Sequence, residues 1–248
     1  LLRRINQSPS GTAALVSMRA DLLPLLKSHP TLKRIDNDFA HLLGSWFNRG
    51  FLQMQPITWS SPADVLEKII DYEAVHEIPD WTELRRRLQP SDRRCYAFFH
   101  PAMPDEPLVF VEVALTTEAA DNITKLLSDG RDVIAAEDAS TAVFYSISNC
   151  QVGLRGVSFG NFLIKQVVSD LLRDLPNLKN FVTLSPAPGF APWLEQQANN
   201  HPEAKELLDL SGELGKNSTD TQNKRHVQLS NKLAAEYYLT AKRSDNSP

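Results

Sequence analysis

Three glycines, Gly153, Gly156 and Gly160, fall within the stretch SNCQVGLRGVSFGNFLIKQVV that begins at Ser148. TAVFYSIS, which runs into it, reads as a strand, and its last third reads as a helix. Such a loop has two chemical uses. Arg155-Gly156-Val157-Ser158-Phe159-Gly160-Asn161 leads straight into the helix, whose first backbone N–H groups have no internal partner and sit at the positive end of the helix dipole. They favour an anion such as phosphate, and Gly156 and Gly160 permit close approach and unusual dihedrals. The same residues also spell Gly156-x-Ser158-x-Gly160, the G-x-S-x-G of a serine hydrolase elbow, with Asp209 and His226 following in a permissible order. An elbow serine sits on a tight turn directly between strand and helix, whereas here seven residues, Asn149 to Arg155, come first. The spacing favours the phosphate cradle. It is not a Walker A loop, because no Lys-Ser/Thr pair follows the last glycine.

Other residues at the same sheet edge can carry chemistry. Ser185, in Leu184-Ser185-Pro186-Ala187-Pro188-Gly189-Phe190, stands at the C-terminal end of the run FVTLS. Ligands of open α/β sheets collect at that edge, and Pro186 and Pro188 restrict the loop. A serine before a proline also serves simply as a turn former. Ser146 and Ser148 end TAVFYSIS, where they either face a ligand or close the strand. His100 precedes the turn-rich HPAMPDEP, as a turn residue or as part of a site wall. Arg85, Arg86, Arg87, Arg93 and Arg94 form a basic cluster that fits a solvated helix face or a bound phosphate. The remaining histidines, His29, His41, His76, His201 and His226, lack metal-ligand spacing, so no metal site is expected.

The elements that must position these groups change in texture along the chain. TAALVSMRADLLPLLK and LKRIDNDFAHLLGSWFNRG have helical periodicity, with Gly50 as a C-terminal stop. PADVLEKIIDYEAV is expected to be a helix with Ser61 at N-cap and Pro62 at N1, and Asp80 caps WTELRRRL. From Cys95, the short runs CYAFFH, LVFVEVAL and TAVFYSIS read as strands. The helix after the glycine loop then separates TAVFYSIS from FVTLS, which makes these two strands a parallel crossover pair. PEAKELLDL and SNKLAAEYYLTAK read as helices joined by the loop-like SGELGKNSTDTQNKRH. The expected fold is α+β (α/β), with a helical domain over residues 1–90 and a mixed-sheet domain over 91–248.

Composition narrows the function classes. A net charge of −4 gives no general surface for nucleic acid, so any anion site must be local. The two cysteines, Cys95 and Cys150, are too few for a disulfide framework or a metal cluster. No apolar run reaches the ~20 residues of a membrane span. The start LLRRINQ, with neither initiator Met nor signal pattern, and the polar end AKRSDNSP read as an excerpt of a longer protein, truncated at both ends.

RGVSFGNFLIKQVV resembles the pyrophosphate loop and following helix of the GNAT acyltransferase superfamily, whose pattern is Arg/Gln-x-x-Gly-x-Gly/Ala. Arg155 and Gly160 match that pattern, and Ser158 replaces its middle glycine. MRADLL, GSWFNRGFL, TWSSP, EAVH, RRCYAFFH, DEPLVFVEVALT, FYSIS, GLRG, FLIKQVV and LSPAPGF together resemble, in order, the malonyl-CoA decarboxylase family. That resemblance implies a helical, oligomerising N-terminal domain followed by a GNAT-like acyl-CoA-binding domain, and conversion of malonyl-CoA to acetyl-CoA and CO₂. It implies CoA binding by Arg155 to Asn161 between two parallel strands that splay apart, and catalysis by Ser185; Ser146 and Ser148, at the same sheet edge, either face the acyl group or close the strand. The proton donor it implies is a histidine in a His-x-x-Asn-Gly-Ala motif, expected beyond Pro248; His100 is a weaker candidate within the chain. The implied reaction needs no cofactor, because the thioester carbonyl is itself the electron sink. The implied location is cytoplasmic in a bacterium, and the mitochondrial matrix, peroxisome or cytosol in a eukaryote. Competing readings are an acyl-CoA-dependent N-acyltransferase, a silent CoA-binding module and a serine hydrolase acting through Ser158.

Overall fold

The computed structural model describes residues 1–157, 159, 162–213 and 220–240. Packing divides the chain into two units, residues 1–185 and 186–248. In the first, helices α1 (Leu2–Ile5), α2 (Gly11–Leu22) and α3 (Lys33–Trp46) precede an edge strand β1 (Gln53–Ile57). There follow α4 (Ala63–Tyr72), α5 (Trp81–Leu88), β2 (Arg93–Phe99), β3 (Val109–Thr116), α6 (Ile123–Leu126), β4 (Thr141–Asn149), α7 (Phe162–Asp174) and β5 (Asn180–Thr183). The sheet order is β1-β2-β3-β4-β5, antiparallel except for the parallel β4–β5 pair, as the crossover requires.

Alternation along the strands sends successive side chains to opposite faces, and each face has its own helical cover. On one face, Leu15 and Val16 of α2, Phe39 and Leu43 of α3, and Leu163, Val167 and Leu171 of α7 pack on Tyr96, Phe98, Val109, Val111 and Phe144. On the other, Val65, Leu66 and Ile69 of α4 and Leu84 and Leu88 of α5 pack on Cys95, Ala97, Phe99 and Phe110. The texture change at residue 90 is therefore not a break in packing, because helices from both sides of it cover one sheet. Unit 186–248 holds α8 (Phe190–Gln197), α9 (Pro202–Glu213) and α10 (Asp220–Thr240) around Leu194, Leu207, Leu229 and Leu233.

Several local expectations change. α2 ends at Leu22 and a 3-10 turn continues over Leu23–Lys27, because Pro24 offers no N–H to an α-helical ladder. α3 stops at Trp46 rather than at Gly50, which belongs to a 3-10 turn over Arg49–Phe51. Pro62, not Ser61, occupies the N-cap of α4; the Ser61 hydroxyl accepts instead from the Thr58 N–H. Asp80 does cap α5, accepting from the Glu83 N–H at 2.8 Å. The segment read as a loop from Ser211 to His226 is helical at both ends, since α9 runs to Glu213 and α10 begins at Asp220.

Candidate active site

β3 and β4 slip out of register between Glu112, which faces Ser146, and Val113, which faces Phe144. Tyr145 is thus an extra residue on β4, and a bulge of this kind bends its strand. The bend falls where β5 leaves: pairing ends at Phe144 and Thr183, closed by the Leu184 N–H donating to the Phe144 carbonyl at 2.8 Å. Past that point β4 continues to Asn149 paired only with β3, on its other side. Ser146 and Ser185 stand two residues past the last pair on their respective strands.

Residues 150–161 connect β4 to α7. A 3-10 turn over Val152–Leu154 opens the connection, and Gly156 follows with φ +81°, in the left-handed region. This length excludes a hydrolase elbow, in which strand and helix meet at the serine. Ser158, Gly160 and Asn161 lie outside the described residues. Arg155, Gly156, Val157 and Phe159 line a cleft of about 360 Å³ together with Asn149 at the end of β4. That volume is within the range of small-molecule clefts, roughly 300–1,000 Å³. The Arg155 side chain is exposed, while Val157 and Phe159 lean on the core.

Ser185 is exposed, in irregular backbone immediately after β5. Ser146 and Ser148 are buried and already have partners. The Ser146 hydroxyl donates to the Glu73 carboxylate, 2.8 Å from each oxygen, and the Ser148 hydroxyl donates to Glu73 Oε2 at 3.1 Å. Glu73 also accepts from the N–H groups of Val75 and His76. Sequence reasoning missed Glu73 and His76; both lie in EAVH, one of the segments that carry the resemblance. The imidazole Nε2 of His76 is buried without a hydrogen-bond partner among the described residues, and burial lowers its pKa.

His100 follows β2 at the same end of the sheet as Asn149, but its ring is engaged by its own neighbours. Its Nδ1 accepts from the Ala102 N–H, its Nε2 lies 3.1 Å from the Trp46 carbonyl, and its ring packs between Phe47 and Phe51. It is a turn histidine that ties β2 to the end of α3. The arginine cluster is also used internally: Arg87 pairs with Glu83 and Glu112, Arg86 with Glu83 and Asp129, and Arg85 stacks over Trp59. Cys95 and Cys150 are free, buried thiols whose pKa values burial raises. Among the described residues no cluster of metal-ligating side chains occurs, and no helix is long and apolar enough to cross a membrane.

Glu112, fully buried across from Ser146, has its pKa raised from 4.5 to about 8. Burial dominates, and Arg87, 3.2 Å away, offsets only part of it. A raised carboxyl pKa means that the folded state holds a proton the unfolded state has lost, so stability falls as pH rises from about 4.5 to about 8 and levels off above. Relative to Glu112→Gln, the wild type should lose on the order of 5 kcal/mol across that window in denaturant titrations, at about 1.36 kcal/mol per pKa unit. A constant difference between the two proteins would mean that Glu112 stays ionised.

Fold and site define a class first: an α+β protein in which helices cover both faces of a mixed sheet and a glycine loop leads from one strand of its parallel pair into the helix that crosses to the other. The profile of the malonyl-CoA decarboxylase C-terminal domain matches residues 50–248, and that of the N-terminal domain matches residues 1–47. The chain belongs to the malonyl-CoA decarboxylase family. It is 40% identical to the mitochondrial malonyl-CoA decarboxylase of Anser anser anser, over 91% of this chain and 44% of that protein. Against the mitochondrial malonyl-CoA decarboxylase of Rattus norvegicus it is 38% identical, over 86% of this chain and 47% of the relative. The crystal structure of malonyl-CoA decarboxylase from Agrobacterium vitis superposes with a TM-score of 0.88 at 55% identity, covering 100% of this chain and 61% of that one. The enzyme from Rhodopseudomonas palustris gives 0.87 at 53% identity, covering 98% and 61%. The chain therefore spans less than half the length of these curated relatives.

Proposed function

We propose that this chain forms the CoA-binding and part of the catalytic apparatus of a malonyl-CoA decarboxylase, which converts malonyl-CoA to acetyl-CoA and CO₂. The observation that carries the reading is the parting of β4 and β5 at Phe144 and Thr183, with the glycine-loop cleft and Ser185 at the same edge. In this reading the pyrophosphate lies against the loop from Arg155 to Asn161, and the acyl arm enters between the parted strands. Loss of CO₂ leaves an enolate delocalised into the thioester carbonyl. The protein must hold the carboxylate out of the thioester plane, place donors at the enolate oxygen and deliver a proton to the α-carbon. Ser185 takes the orienting or donor role; the acid is the histidine that the family resemblance places downstream. Malonyl-CoA is the substrate, the reaction uses no further cofactor, and the helical N-terminal part serves homo-oligomerisation.

Incubating the natural full-length protein with malonyl-CoA and no amine tests the reading directly. Release of CO₂ and acetyl-CoA is expected. CoA binding without turnover would instead make the protein a silent CoA-binding module, and turnover only when an amine is added would make it an N-acyltransferase. The loop has its own test. A Cβ at Gly156 meets open space, but φ +81° is strained for any branched side chain. Gly156→Val should therefore reshape the loop without a core clash and weaken CoA binding about tenfold by calorimetry. Unchanged affinity would move the pyrophosphate elsewhere.

A further inference from the structure

Arg19 of α2 is 4% exposed, and three hydrogen bonds hold its guanidinium. Its Nε donates to Asp36 of α3 at 2.8 Å, while Nη1 donates to the Gly153 carbonyl at 2.8 Å and to the Arg155 carbonyl at 2.9 Å. One nitrogen thus holds two carbonyls on the loop that leads to the cleft. The approach is close by necessity: a Cβ on Gly153 would lie 1.9 Å from the Val16 carbonyl oxygen, so only glycine lets α2 lie against the turn.

The consequence follows from peptide geometry. In a trans peptide the carbonyl of one residue and the N–H of the next point in opposite directions, and the described chain has no cis bond. With the Arg155 carbonyl turned to Arg19, the Gly156 N–H faces the other way. Gly156 lines the cleft and Arg19 does not. We propose that Arg19, anchored by Asp36, is a positioning residue for CoA, which turns the Arg155–Gly156 peptide so that its N–H is presented to the pyrophosphate. The N-terminal helices thereby set the affinity of a loop some 130 residues away in sequence, the Arg19 contacts spanning separations of 134 and 136. A lysine at this position carries the charge but lacks the planar fork needed to serve Asp36 and two carbonyls together.

This inference rests on the assignment of the loop to CoA, and the test separates the two. In the natural full-length protein, Arg19→Lys is assayed with malonyl-CoA and with malonyl-pantetheine, which lacks the pyrophosphate and nucleotide. The expected result is a KM for malonyl-CoA raised about tenfold, with kcat and the KM for malonyl-pantetheine within twofold of the wild type. Equal losses on both substrates would reduce Arg19 to a packing residue, and an unchanged KM for malonyl-CoA would also overturn the proposal. Asp36→Asn keeps the arginine while loosening its anchor; it should show the same substrate-selective loss in smaller degree, and it answers the question if Arg19→Lys does not fold. A wild-type protein that fails to bind CoA in calorimetry would overturn the loop assignment itself. CoA binding that withstands both substitutions would overturn only the role of Arg19.

Discussion

Ser185→Ala should lower kcat for malonyl-CoA by ~100-fold or more in the natural full-length protein, about 3 kcal/mol of transition-state stabilisation, while leaving CoA affinity within a few-fold. The split between turnover and binding follows from where the residue stands. Pairing with β4 ends at Thr183, Leu184 makes one more backbone bond, and Ser185 begins the irregular segment at the mouth of the parted strands. Its side chain is exposed, so removing the hydroxyl opens no cavity and should change stability by no more than about 0.5 kcal/mol. A folded, CoA-binding and nearly inactive variant is the expected outcome. Retained activity would return Ser185 to the role of a turn former before Pro186. Ser158→Ala provides the contrast, because Ser158 is assigned only to the loop backbone and its replacement should be mild; the reverse ranking would revive nucleophilic chemistry at Ser158.

Legibility in the sequence followed the range of the interactions. Strands β2, β3 and β4 are written in runs of β-branched and aromatic residues, and α7 in the spacing of Leu163, Val167 and Leu171, so local pattern suffices for them. The crossover followed from their order. β1 escaped because Gln53-Met54-Gln55-Pro56-Ile57 buries only its last residue and carries a proline, which an edge strand tolerates and a pattern search counts against it. The N-terminal half of α10 escaped because residues 220–229 are mostly polar, and Leu229 and Leu233 become core only when set against α9. Gly153 and Gly156 were legible as loop formers. That one exists for contact with Val16 and the other for a left-handed turn was not. Arg19 and Glu73 were invisible as site residues for the same reason: their partners lie on other elements, at separations no periodicity encodes.

Glu73→Ala should lower the unfolding free energy by about 3 kcal/mol, which chemical denaturation will read directly. The carboxylate leaves the end of α4 and serves two sets of donors. Close in sequence it accepts from the N–H groups of Val75 and His76, at 2.8 and 2.7 Å. Across the fold it accepts from the Ser146 and Ser148 hydroxyls, and Ser148 in turn accepts from the Ala74 N–H at 3.2 Å. Both serines are 1% exposed, so losing the carboxylate strands buried hydroxyls as well as turn amides. Glu73→Asp separates the two sets. An aspartate still reaches N–H groups two and three residues ahead, as it does in many turns and helix caps, but it is one methylene too short for β4. It should therefore cost about half as much as alanine. If aspartate is as damaging as alanine, the serines account for nearly all of the effect; if it is harmless, the turn does. A loss below about 1 kcal/mol for Glu73→Ala would show that water replaces the carboxylate freely, and that the end of β4 is held by the sheet alone.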